Sequence, residues 1–161
     1  MVSIMDEALE LEVGHKVLEV GGGSGWHAAT IAEIVAPSNV PKEKWGHVYT
    51  IERIPELAAF AKNNIENTGY QDRVTLIHSD GTVGYPEKAP YDRIFVAAAG
   101  PKVPKPLVEQ LKDGGVLLIP VGGAQFYQTL VRVRKMNGKI IEESLGRVTF
   151  VPLIGKHGFE S

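Results

Sequence analysis

Apolar and polar positions along the chain follow two rhythms that take turns. Residues 15–20, 47–52, 74–80, 93–99 and 116–121 are short, nearly continuous apolar runs, as a strand buried on both faces requires. Between them, residues 24–35 carry apolar side chains at helical spacing, with Ser24 placed to cap the first turn. A second helix is predicted from Pro55, whose ring suits a first turn, to Gly69, which suits a stop. A shorter one is predicted over residues 106–112, closed by Gly114 and Gly115, and residues 1–9 predict a helix at the front. The end of the chain changes rhythm. Thr129–Arg134 alternates apolar and charged residues, Asn137-Gly138 marks a tight hairpin turn, and Lys139–Glu143 returns.

Strand and helix in alternation predict a doubly wound α/β sheet, mostly parallel and finished by a C-terminal antiparallel hairpin. With no internal repeat, linker or low-complexity tract, residues 1–161 are expected to form a single domain.

Composition narrows the function. The 161 residues are 43% hydrophobic and 22% charged, ordinary for a globular protein, and the net charge of -2 gives nucleic acid no electrostatic footprint. There is no cysteine, which excludes a disulfide framework, thiolate metal sites and a cysteine nucleophile, and fits a cytoplasmic setting. No apolar run reaches the roughly 18 residues of a membrane span, and no signal peptide is expected. The histidines, His15, His27, His47, His78 and His157, lack metal-ligand spacing and are expected to be surface or half-buried structural residues; no metal is expected.

One stretch asks for a ligand. Glu19-Val-Gly-Gly-Gly-Ser-Gly25 joins the first strand to the first crossover helix, and in such sheets that turn lies at the carboxyl ends of the strands, where ligands bind. A phosphate loop needs Gly-x-x-x-x-Gly-Lys-Ser/Thr, and Trp26-His27-Ala28 breaks that pattern. The dinucleotide fingerprint puts its third glycine where Trp26 stands, which also disfavours a nicotinamide oxidoreductase. What remains is Glu19-x-Gly21-x-Gly23-x-Gly25, the pattern of S-adenosylmethionine methyltransferases. Glu52 at the end of the second strand could then accept from both ribose hydroxyls. Asp80, with Gly81, could read an adenine edge at the end of the third. Taken singly, each of these acids fits a solvated strand end or a turn equally well; together they point to one rim.

Longer stretches carry a resemblance. Val17–Ala29, Tyr49–Arg53, Ser79–Thr82, Ala89–Val96, Ala98–Pro104, Gln110–Gly122 and Arg147–Leu153, in collinear order, resemble the protein-L-isoaspartate O-methyltransferase family. The resemblance implies a Rossmann-like fold, S-adenosylmethionine as cofactor and S-adenosylhomocysteine as product. It implies a repair activity that methylates the carboxylate of L-isoaspartyl residues in damaged proteins and peptides. Carried over by position, Glu19, Gly21, Gly23, Ser24 and Gly25 would cradle the methionine part, Glu52 the ribose, and Asp80 with Gly81 the adenine. Ala97 to Pro101 would lie beside the transferring methyl, and Val151, Pro152 and Leu153 would border the peptide. A buried edge strand is the competing reading of those last three.

Three departures qualify the resemblance. The family has threonine or serine where Gly22 stands, so a looser loop is expected, and often threonine where Ala97 stands. Family members also carry an N-terminal segment with a Gly-Gln-Thr-Ile-Ser-x-Pro-His-Met type of motif, which supplies the hydroxyl that binds the isoaspartyl carboxylate. Met1-Val2 aligns with its very end, so this chain is expected to lack it, with a more open cleft and no catalytic residue of its own. A non-catalytic cofactor-binding core, and a methyltransferase with another acceptor, therefore stand as alternatives. A monomer is expected rather than a dimer, with no membrane or nucleic-acid partner.

Overall fold

The computed structural model describes residues 2–123 and 127–160. In chain order the elements are α1 (Val2–Leu9), β1 (Lys16–Val20), α2 (Trp26–Val35), β2 (His47–Glu52), α3 (Pro55–Asn67), β3 (Val74–His78), β4 (Tyr91–Val96), α4 (Lys105–Glu109), β5 (Leu111–Val121), β6 (Gln128–Met136) and β7 (Lys139–Val148). They build one seven-stranded sheet in the order β3-β2-β1-β4-β5-β6-β7. Strands β3 to β5 run parallel, and β6 and β7 are added antiparallel.

Alternation along each strand divides the core into two faces. Val17 of β1 packs with Ala28, Ile31 and Val35 of α2 and with Ile65 of α3. On the same face Phe95 of β4, register partner of Glu19, gathers Met5 and Leu9 of α1. Leu18 and Val20 point the other way, to Ile94, Val96 and Leu117 of the sheet and Leu107 of α4. This division follows from the strand order. Crossovers β1-α2-β2 and β2-α3-β3 step toward one edge and β4-α4-β5 toward the other, so connections of one hand cover opposite faces. The reversal lies between β1 and β4, and the chain must diverge at their carboxyl ends.

Most predicted elements stand, with instructive shifts. The helix predicted over residues 106–112 is only the five residues Lys105–Glu109, and the strand predicted to begin at Val116 begins at Leu111. Leu111 pairs with Tyr91 and Val116 with Arg93, so Lys112–Gly115 bulges out of the ladder between them. Gly114, at φ 84, makes that bulge possible; the glycine pair kinks a strand and does not end a helix. Helix α2 starts at Trp26, because Gly25 is left-handed at φ 84 and its Cβ position is held 3.2 Å from the Ala61 carbonyl. Ser24 is therefore outside the helix, its hydroxyl accepting from the Trp26 N–H at 3.3 Å. Strand β3 stops at His78 and leaves Asp80 in the following turn, and β4 stops at Val96. The Asn137-Gly138 hairpin turn has both residues at positive φ, 52 and 77, as predicted, but β7 runs on to Val148. Among the described residues no helix is long and apolar enough to cross a membrane.

Leu117, fully buried at the centre of β5, tests the core. Leu117→Ala is expected to lower unfolding free energy by about 2–5 kcal/mol. In urea the midpoint should fall with an unchanged slope.

Candidate functional site

The ends of β1 and β4 part at the strand reversal, and the glycine loop turns there. The N–H groups of Gly21 and Gly22 both donate to the Ile51 carbonyl, at 2.8 and 3.0 Å, folding the loop back onto β2. Gly21, at φ 92, lies beside Ala97, with its Cβ position 3.6 Å from that methyl. Gly23, at φ 53, has nothing within 4 Å of its Cβ position. The loop thus presents bare backbone to a cavity of ≈ 310 Å³ between the strand ends. That size falls within the range of small-molecule sites.

Glu52 gives the cavity its acid. It ends β2 with only 7% of its surface exposed. One carboxylate oxygen accepts from the Gly23 N–H at 3.0 Å and the other from the Ile54 N–H at 3.0 Å. Each oxygen keeps acceptor capacity beyond these bonds, so the group is oriented without being used up. A ligand with a pair of hydroxyls would find two fixed acceptors next to an open backbone. The residues present fit a nucleoside with an amino-acid arm, and the fit rests on the bare loop and this half-satisfied carboxylate.

Glu19 is used differently. It is 1% exposed, accepting the Thr50 hydroxyl at 2.6 Å on one oxygen and facing His27 Nδ1 at 2.8 Å with the other. His27 Nε2 in turn meets Asp6 of α1 at 2.9 Å, and its ring stands edge-on to Phe95. Burial alone would lower the imidazole's pKa, but the hydrogen bonds and charges of Asp6 and Glu19 outweigh it and raise the value from 6.5 to about 9. His27 is thus a cation at neutral pH, clamped between two carboxylates. The same network explains Gly22, where a Cβ would stand 2.5 Å from the Thr50 hydroxyl. The middle glycine of the three makes room for Thr50 in place of loosening the loop: Gly22 is buried and hydrogen-bonded.

Asp80 precedes the lining residue Gly81 and is itself met by three donors. One oxygen accepts from the Thr82 N–H at 2.9 Å and hydroxyl at 2.7 Å, the other from the Lys156 N–H at 2.9 Å. Burial pushes its pKa up, yet these donors more than compensate and hold it below the ordinary value. Residues 151–154 form one wall of the cavity.

A model of the family described as protein-L-isoaspartate(D-aspartate) O-methyltransferase (PCMT) matches residues 1–158. The chain belongs to this family. A protein-L-isoaspartate O-methyltransferase from Hyperthermus butylicus is 57% identical over 159 residues, covering 99% of this chain and 66% of the relative. A solved protein-L-isoaspartate O-methyltransferase superposes with a TM-score of 0.86 at 30% identity, over 98% of this chain and 47% of that one. A structure from Plasmodium falciparum, assigned to the same enzyme class and holding S-adenosyl-L-homocysteine, gives a TM-score of 0.77 at 30% identity, over 95% of this chain and 71% of its own. The chain thus spans less than two thirds of the first relative's length and about half that of the first structure.

For this PCMT family chain, the structure brings Gly21, Gly23, Glu52, Gly81, Ala97, Val151, Pro152 and Leu153 to one cavity. Glu19, Ser24, Gly25, Asp80 and Pro101 are not part of its lining. Sequence reasoning missed the apolar rim of Ile54 and Leu57, whose signal was a three-residue spacing of apolar side chains directly after Glu52. It also missed the Asp6–His27–Glu19 bridge, which no local spacing announces. A larger hollow of ≈ 610 Å³ between α2 and α3, beside exposed Trp26, is mainly apolar, and its carboxylate, Glu33, is bonded to Tyr70 and Arg73. The strand-end cavity has the available acid and the bare backbone, and is the candidate site. Among the described residues no three or more His, Cys, Asp or Glu side chains gather as a metal site.

The His27 bridge sets a pH dependence. Its pKa is higher folded than unfolded, so its stabilisation is complete below about pH 6.5 and is lost as pH rises through about 9. His27→Gln leaves the buried Glu19 and the half-buried Asp6 without a cation and is expected to cost about 3–5 kcal/mol near pH 6. In thermal melts the gap between the two proteins should be widest near pH 6 and close above pH 9.

Proposed function

We propose that this chain binds S-adenosylmethionine in the strand-end cavity and transfers its methyl group to the carboxylate of L-isoaspartyl residues in damaged proteins and peptides. The observation that carries the reading is the convergence of bare Gly21 and Gly23 backbone, the oriented Glu52 carboxylate and the Val151–Leu153 wall on one cavity at the β1/β4 reversal. Membership of the PCMT family supports the acceptor.

When bound, the cofactor supplies a methyl group carried on a sulfonium. Gly21 and Gly23 would admit its methionine part, Glu52 would accept from the ribose hydroxyls, and the Gly81 backbone would lie along the adenine. The acceptor carboxylate is ionised at neutral pH and needs no general base from the chain. What remains for the protein is alignment and exclusion of water, and Ala97 with the Val151–Leu153 wall is the apolar surface available for both. The methylated product can close spontaneously to a succinimide, which reopens in part to normal aspartate, so the chemistry after transfer needs no further site.

The same reading carries one domain, residues 1–161, working as a cytoplasmic monomer. Lack of cysteine supports the compartment. Charges at Lys139, Glu142, Glu143 and Arg147 along exposed β7 blunt the free edge of the sheet and support the monomer.

Labelled S-adenosylmethionine with an isoaspartyl peptide, and its aspartyl twin as control, tests the reading. Transfer to the isoaspartyl peptide alone is the expected result. Label on both peptides would point to another acceptor, and binding of S-adenosylhomocysteine without transfer would make the chain a binding core. Glu52→Gln keeps the shape but loses charged hydrogen bonds worth about 1.5–3 kcal/mol. Calorimetry should accordingly read at least a tenfold rise in Kd for S-adenosylhomocysteine.

A further inference from the structure

The hairpin between β6 and β7 turns on Asn137-Gly138, the one Asn-Gly pair in the sequence. Met136 and Lys139 close the ladder around it, and both turn residues are left-handed, at φ 52 and 77. Both are exposed, and nothing stands within 4 Å of the Cβ position of Gly138. A contact from β5 restrains the turn. The Gly138 N–H donates to a carboxylate oxygen of Asp113 at 3.0 Å. Asp113 is placed for this by the bulge of Lys112–Gly115 out of the β4–β5 ladder.

An exposed asparagine followed by glycine carries its own damage chemistry. Once the Gly138 nitrogen gives up its proton it can attack Cγ of Asn137. The new C–N bond closes a succinimide, the bond from Cγ to Nδ2 breaks, and ammonia leaves with the proton. Water then opens the ring at either carbonyl, giving aspartate or isoaspartate. Glycine favours the step because it has no side chain to hinder the approach. Asp113 opposes it in two ways. Its carboxylate engages the proton that must leave, and its negative charge disfavours the anionic nitrogen that attacks.

The turn is also out of reach of the chain's own cleft. Strand β6 runs antiparallel to β5, with Thr129 opposite Val121 and Arg134 opposite Val116. Val121 is bridged to Gly100, and Ala99 to Pro152 of the cavity wall, so Thr129 marks the cavity end of β6. From Thr129 to Met136 the strand carries the chain about 23 Å to the other end of the sheet. We propose that Asn137-Gly138 is where this chain forms isoaspartate in itself, with Asp113 as the latch that slows the step, and that the altered turn is an acceptor for the cleft of a second copy. The last part rests on the acceptor reading above; the site and the latch do not.

Ageing the folded chain in mildly alkaline buffer tests the site, with ammonia release and fragment mass spectra as readouts. Isoaspartate is expected at residue 137 ahead of every other asparagine. Asp113→Ala frees the Gly138 N–H and should speed the reaction about three- to tenfold, the loss of one hydrogen bond. Hydrogen exchange elsewhere in β6 and β7 should stay unchanged. Asp113→Ser, which keeps an acceptor without the charge, should fall between. Asn137→Gly keeps a turn that accepts positive φ and should give no isoaspartate there. Labelled S-adenosylmethionine is then added to the aged chain, with an isoaspartyl peptide as control. Label should appear at residue 137, and its rate per chain should fall on dilution, as transfer between copies requires. Equal or slower deamidation in Asp113→Ala would overturn the latch, as would faster exchange along the whole hairpin, which marks general loosening. Earlier reaction at another asparagine would overturn the site. Transfer to the peptide but not to residue 137, or a rate unchanged by dilution, would overturn the role of the second copy. If the peptide takes no label either, the acceptor reading fails instead, and ammonia release and the mass spectra alone decide the site and the latch.

Discussion

A carboxylate sealed under the glycine loop has to be neutralised, and much of the molecule is arranged around how that is done. Glu19 is 1% exposed, and an unpaired charge at that depth would cost several kcal/mol. Its two oxygens are met by Thr50 of β2 and His27 of α2, and His27 reaches on to Asp6 of α1. One buried charge therefore ties together two strands and two helices. It also dictates the glycine at position 22, because the Thr50 hydroxyl occupies the space a side chain would need. The conformation of the loop follows from this network as much as from the freedom of its glycines.

With the loop pinned from beneath, its upper side can stay bare. Gly21 and Gly23 face the cavity as backbone, and the Gly23 N–H orients Glu52. Two acids one strand apart thus divide the work: Glu19 is spent on the scaffold, and Glu52 remains available to a ligand. Residue type does not separate them. Glu19 lies inside β1, register partner of Phe95 on the face covered by α1, whereas Glu52 is the last residue of β2, where the sheet ends and the cavity begins.

Asp80 makes the same point at a third strand. Its place after β3 puts it at the correct end of the sheet, but its donors come from residues 82 and 156, and the second of these lies 76 positions away. Which donors reach such an acid is not visible until the distant segment is in place.

The sequence by itself determined the alternation of strands and helices, the antiparallel hairpin at Asn137-Gly138, the glycine turn after β1 and Glu52 at the end of β2. Each of these follows from local rules: period-two or helical apolar spacing, positive φ at a turn, or the end of an apolar run. Gly114-Gly115 misled because a glycine pair stops a helix or bulges a strand equally well, and pairing of Leu111 with Tyr91 decided between them. The role of His27 was invisible for the same kind of reason, since its carboxylates arrive from α1 and β1, and the imidazole's charge depends on both. Only the tertiary structure shows which donors reach Glu19, Glu52 and Asp80. What an ionised side chain does is set by which donors reach it and how much water remains, and both are supplied by segments far away in the chain.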